Sequence, residues 1–333
     1  MTGFIFVAAI ASGAYQFTPA TKLDYDVNVV FDGFLPLMGG NEGVADVKFG
    51  VQVNGLEPKD GGLRSTIELT AFELSFNGGK IPMLDVESAR AYFPKAEVLS
   101  TAQGKVLKNS APEVSLPVRL PGLDVRRFPD ITYLPVEFDP KGLEVGSTWS
   151  FDRMFGDTPM HYECVAVKET GGTLTEISVK VSQDYEVLED ETLEIVPELK
   201  GATSRVKTTL RGTGTVLFDT KRGAAVKVDM ANSSTSVVTD IKSGKQSTRK
   251  LDSKLSVKLK GFEMPGAGSA AAPATGPTTP IQTVAGWFQG AWNAGQDLWN
   301  QGVGYATLAR MAMGVFLSQI PGGGQFFRFL FGG

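Results

Sequence analysis

Cysteine and histidine are almost absent from this sequence of 333 residues, which contains one of each, Cys164 and His161. A single thiol cannot close a disulfide within the chain. One Cys and one His cannot supply the four ligands of a Cys/His zinc site. A Ser-His-Asp triad or a Cys-His pair would have to use His161. The two counts therefore exclude a disulfide scaffold and a Cys/His zinc site, and they restrict histidine-dependent catalysis to one residue.

The local sequence around these residues favours structural roles. On a strand, His161 and Cys164 project to opposite faces, because side chains alternate with period two. An acidic run over 186–198 lacks the Asp/Asn-Gly spacing of a calcium loop. Gly212 and Gly214 lie inside a predicted strand with no third glycine and no following helix, so they do not form a dinucleotide loop. We expect no metal, no cofactor and no enzymatic activity.

Charge is scarce at both ends of the chain. The net charge is −4, which argues against nucleic acid as a partner. No charged residue precedes Lys22, and after residue 264 only Asp297, Arg310 and Arg328 are charged. The charge pattern thus separates a charged body from an apolar start and a nearly uncharged tail.

The apolar start favours export. Residues 4–11 are apolar, and small residues follow at 12–14, which is the pattern of a signal peptide over 1–14. The basic residues that normally precede such a segment are missing, and a first strand at the N-terminus is the alternative. We expect an exported protein that is periplasmic, cell-surface or secreted.

The body alternates apolar and polar side chains, as half-buried antiparallel strands do. Residues 203–218 and 224–238 read as two long strands, joined by a Gly-containing hairpin loop over 219–223. The apolar phase slips between Ala71 and Phe72, which predicts a bulge or a bend. One short helix is predicted near 86–91.

Prolines divide the body, since proline cannot donate to a central strand ladder. The fold class predicted is mainly β, with two curved antiparallel sheet domains (half-barrel or sandwich-like) followed by C-terminal helices. The predicted order is β domain 1 at 22–111, a Pro-rich connector at 112–135, β domain 2 at 136–264, a Pro/Gly/Ala/Ser/Thr linker at 265–280, helices at 281–320 and an apolar tail at 321–333.

Two short motifs carry a resemblance. Residues 143–149 (LEVGSTW) resemble the first strand of certain uncharacterised bacterial exported β proteins. Phe218-Asp219 with Gly223, followed by a long alternating strand, is similar to the repeated hairpin of lipoprotein-carrier (LolA/LppX-like) half-barrels. The resemblance implies an exported, strongly curved antiparallel sheet whose apolar concave face is sometimes used to hold lipid. The lipoprotein cysteine that many such proteins carry near the N-terminus is absent.

The tail contains three of the four tryptophans. Residues 281–303 predict an amphipathic helix, whose apolar arc includes Phe288, Trp292 and Trp299 and is widened by Trp287. Residues 304–320 are apolar on most faces, yet short for a membrane span and interrupted by Arg310. Three interpretations stay open: the tail packs on its own β body, contacts a membrane interface, or binds partner subunits.

A second apolar segment, 31–38, places Phe34, Leu35, Leu37 and Met38 close together, either under the sheet or at a contact site. We predict a non-enzymatic, exported binding protein whose apolar concave face holds a hydrophobic ligand or lipid, or the C-terminal helix of its own chain or of a partner. The candidate contact residues are those four and the four tail aromatics. The alternative is an envelope or surface assembly subunit that self-associates through 281–333.

Overall fold

The structure is a computed structural model that describes residues 13–35, 41–80, 85–90, 93–111, 132–155, 158–189 and 203–262. It is mainly β, as predicted. The strands are β1 (Lys22–Leu35), β2 (Asn41–Lys59), β3 (Gly62–Phe76), β4 (Gly79–Lys80), β5 (Ala96–Ser100), β6 (Val106–Asn109), β7 (Thr148–Phe155), β8 (Thr158–Thr170), β9 (Leu174–Glu189), β10 (Ser204–Asp219), β11 (Ala224–Asp240) and β12 (Gln246–Leu259). One short helix, α1 (Val86–Arg90), lies where the sequence predicts it.

All twelve strands belong to one open antiparallel sheet. Its order is β6-β5-β3-β2-β1-β12-β11-β10-β9-β8-β7, with β4 paired to β3. The sequence predicts a sheet for each half of the body, whereas the structure joins both halves through the pairing of β1 with β12. Tyr25 reinforces this junction, since its hydroxyl donates to the carbonyl oxygen of Ala225 on β11, at 2.9 Å.

Local predictions of turns and bulges agree with the strand registers. β10 and β11 form the predicted hairpin, and Gly223 adopts a positive φ of 61° in its turn, a conformation that glycine favours. The backbone N–H groups of Lys221 and Arg222 donate to Oδ1 of Asp219 and order the same turn. β3 carries one extra residue between Leu69 and Ala71, which places the predicted bulge at Thr70.

The sheet has one apolar face and one wet face. Cross-strand partners share a face, and a single row runs from Val47 on β2 through Val29, Leu255 and Met230 to Val179 on β9. The opposite face carries side chains such as Asp26 and Lys258, which are paired in register. We call these the apolar face and the wet face.

Two loop segments, 13–18 and 132–143, cover one end of the apolar face. Tyr15 donates its backbone N–H to the carbonyl of Ala102 (2.7 Å), and Gln16 donates to that of Gly223 (3.0 Å), so the first segment bridges both halves of the sheet. The aromatic rings that meet here are Tyr15, Phe17, Tyr133, Phe138, Trp149 and Phe218. This aromatic cluster closes the core at that end.

Among the described residues, no helix is long and apolar enough to cross a bilayer. The linker at 265–280, the helices at 281–320 and the tail at 321–333 lie outside the described residues, as does most of the Pro-rich connector.

Candidate ligand-binding site

A cavity of about 60 Å³ lies on the apolar face, beside the covered end. Its walls come from β7 to β12 and from one residue of the covering segment; the apolar members are Pro135, Met160, Tyr162, Val179, Val181, Val216, Val228, Met230 and Leu255. Six neighbouring strands in a flat sheet would spread over about 24 Å, at about 4.8 Å per strand. They can line one small cavity only because the sheet curves, with the apolar face on the concave side.

Two glycines of β10 leave space for the side chains of the two neighbouring strands that line the cavity. Gly212 is paired with Val181 and Asn232, and Gly214 with Val179 and Met230, so both glycines stand in the rows that line the cavity. A Cβ added to Gly212 would clash with Oδ1 of Asn232 and would lie 2.7 Å from a methyl of Val181. The missing side chains therefore let the flanking side chains lean across β10.

Among the described residues that line the cavity, Arg153 is the one that carries a charge, and its side chain is only 2% exposed. Its Nε donates to Oε1 of Glu137 at 3.2 Å, and its Nη1 donates to the carbonyl oxygen of Leu134 at 3.0 Å. The guanidinium carbon lies 5.4 Å from the ring centre of Phe151 and 5.7 Å from that of Tyr162. Contact with aromatic faces stabilises such a cation.

One hydrogen-bonding nitrogen of this guanidinium is left over. Nη2 of Arg153 is buried without a hydrogen-bond partner in the described part of the chain. Asn232 is another polar residue of the cavity wall, and its Oδ1 is likewise buried without a hydrogen-bond partner among the described residues. Since buried polar groups in proteins are nearly always paired, two such atoms around one cavity indicate polar capacity that the described residues do not use.

Sequence reasoning did not identify Arg153 or Asn232, although a signal was present. Both stand at positions where the alternation calls for an apolar side chain: Arg153 follows Trp149 and Phe151 on β7, and Asn232 follows Val228 and Met230 on β11. A polar residue in the apolar phase of a strand is therefore the pattern that would have pointed to this wall.

The predicted contact residues lie elsewhere or outside the described residues. Leu35 is buried on the apolar face at the end of β1, and Phe34 is half-buried beneath the guanidinium of Arg249, 4.3 Å from ring centre to Cζ. Neither lines the cavity. Leu37, Met38, Trp287, Phe288, Trp292 and Trp299 lie outside the described residues, so their contact roles stay predictions.

His161 and Cys164 occupy opposite faces, as the strand period predicts. His161 lies on the wet face with Nδ1 2.7 Å from Oδ1 of Asp152. Cys164 is a free, buried thiol on the apolar face, and desolvation raises its pKa to about 12. A thiol held protonated in this way is a poor nucleophile. Within the described ranges, no three His, Cys, Asp or Glu side chains come together as a metal site.

Comparison with known proteins gave several structural likenesses. No protein-family model and no curated protein matches the chain. A solved structure titled "Lipid-protein interactions in lipovitellin" superposes with a TM-score of 0.48 at 13% sequence identity, over 95% of this chain. The chain spans 35% of the length of that protein.

Proposed function

We propose that this protein is a non-enzymatic, exported binding protein that holds a hydrophobic ligand on the concave face of its sheet. The observation that carries the proposal is the curved apolar face, where six strands surround a cavity beside a covered end. An apolar concavity with a few polar groups is the usual form of a small-molecule site.

The size of the cavity limits what it holds. Pockets that enclose a whole ligand measure about 300–1,000 Å³. The present cavity, at about 60 Å³, accepts one end of a ligand. In this proposal the remaining, apolar part of the molecule follows the concave face.

Titration with N-phenyl-1-naphthylamine, an uncharged fluorescent probe, tests the function. We expect saturable binding by the full chain. The substitution Val179→Phe puts a phenyl ring into the cavity wall and is expected to weaken binding about tenfold, equal to about 1.4 kcal/mol.

The matched control is Val165→Phe, which makes the same change on the wet face of β8, where Val165 is 38% exposed. Its affinity should equal that of the parent protein. Circular dichroism melting establishes that both variants fold. Absence of saturable binding, or equal losses in both folded variants, would refute the proposed function.

A further inference from the structure

The buried guanidinium of Arg153 has an unused donor beside the cavity. Two of its three nitrogens are paired, one with a carboxylate and one with a backbone carbonyl, and Nη2 has no partner among the described residues. An unpaired buried donor is costly, because it has given up its hydrogen bonds to water and gained none in return. A ligand oxygen that accepts from Nη2 would remove that cost.

Asn232 supplies the second polar group of the same wall. Its Nδ2 donates weakly to Oγ of Ser253, at 3.4 Å, and its Oδ1 is buried without a partner in the described residues. As it stands, the carboxamide offers an acceptor to a ligand hydroxyl. An unpaired donor on β7 and an unpaired acceptor on β11 thus belong to two residues of one otherwise apolar cavity wall.

Charge balance decides between a neutral and an anionic ligand. The side chain of Glu137 is 15% exposed and ion-paired with Arg153, so the two charges cancel within this largely buried site. A carboxylate bound at Nη2 would bring a second negative charge into the same desolvated region. Burying a charge without a partner of its own is strongly unfavourable, whereas a neutral carbonyl oxygen avoids that cost.

We propose that the cavity binds the polar end of an uncharged acyl ester, with Nη2 of Arg153 donating to the ester carbonyl and Oδ1 of Asn232 accepting from a neighbouring ligand hydroxyl. This inference rests on the proposed function and specifies its ligand class. A fatty acid would instead require an arginine whose charge is not already balanced by a carboxylate, unlike Arg153.

The test compares two ligands of equal chain length, 1-monolauroylglycerol and laurate, as competitors of N-phenyl-1-naphthylamine at pH 7.5. We expect the full-length protein to bind the ester at least tenfold more tightly than the acid. Equal affinities, or preference for laurate, would overturn the inference.

The substitution Glu137→Gln tests whether the charge of Glu137 sets the preference for the ester. It keeps an oxygen that accepts from Nε of Arg153 but removes the negative charge that balances the guanidinium. The ratio of the affinities for 1-monolauroylglycerol and laurate is therefore expected to shift toward laurate by about tenfold or more. The control Glu163→Gln removes a carboxylate from the wet face of β8, where its side chain is 61% exposed, and should leave the ratio unchanged. A ratio that Glu137→Gln does not move would overturn the inference.

Asn232→Leu keeps the inference testable if Glu137→Gln does not fold. It is expected to weaken 1-monolauroylglycerol about tenfold relative to N-phenyl-1-naphthylamine, and an unchanged ratio of the two affinities would overturn the inference. If the parent protein binds no probe, the proposed function fails. If it binds the probe but does not discriminate ester from acid, only the ligand class fails.

Discussion

One substitution in the aromatic cluster, Phe218→Ala, is expected to cause a large loss of stability. Phe218 is fully buried, with its ring centre 4.6 Å from that of Phe138 and 5.3 Å from that of Tyr15, in edge-on geometry. Tyr15 and Phe138 belong to the two segments that cover the apolar face. Phe218→Ala would therefore leave a cavity at the point where both covering segments rest on the sheet.

The expected cost follows from this burial. Removal of a buried phenyl ring lowers the free energy of unfolding by about 3–5 kcal/mol. With a urea dependence of about 2–3 kcal/mol per molar, the unfolding midpoint should fall by about 1–2.5 M. Phe218→Leu, which retains aliphatic bulk, should lose less than half as much.

Urea unfolding followed by circular dichroism measures these shifts. Leu188→Ala is the control, since Leu188 is 62% exposed and should change the midpoint little. A loss below about 1 kcal/mol for Phe218→Ala, well under the range for a buried ring, would refute the assignment of this cluster to the core.

Three further predictions follow from other parts of the chain. Cys164 should react with a thiol reagent only after unfolding, and rapid labelling of the native state would contradict this. Because burial raises the pKa of this thiol from 9.0 to about 12, only the unfolded state ionises above about pH 9. The contribution of Cys164 to the free energy of unfolding should therefore fall as the pH rises above about 9. Tyr25→Phe should lower the free energy of unfolding by about 1–2 kcal/mol, since it removes the hydrogen bond to Ala225; an unchanged urea midpoint would count against that bond. Trp292→Glu should speed chymotrypsin cleavage beyond residue 263 more than Asn293→Glu does. Of these two residues, only Trp292 lies on the apolar arc of the predicted helix, so equal cleavage rates would contradict the amphipathic interpretation.

Strand prediction succeeded where the information was local. The alternation of 203–218, the turn at Gly223 and the phase slip beside Ala71 each depend on residues close in sequence, and each appears in the strand registers. Alternation identifies which side chains share a face but carries no information on which distant strand lies alongside. The pairing of β1 with β12 therefore required the tertiary structure.

The candidate site was even less accessible to sequence reasoning. Gly212 and Gly214 stand out in the sequence as a pair, but their effect depends on the side chains of Val181 and Asn232, which belong to neighbouring strands. In the sequence Arg153 interrupts the apolar phase of β7, but only the folded chain brings the 132–143 segment over it, with the carbonyl of Leu134 and the carboxylate of Glu137 as partners. Its burial is a product of long-range packing.

The sequence by itself determined the β class, the apolar and wet faces and the main hairpin, because side-chain alternation and turn chemistry act over a few residues. Only the tertiary structure decided that both halves form one curved sheet, and that an arginine and an asparagine from β7 and β11 meet at one cavity. The reason is physical: strand pairing and sheet curvature are set by contacts between residues far apart in the chain. The same contacts determine whether a polar side chain is buried and which hydrogen-bond partners it has.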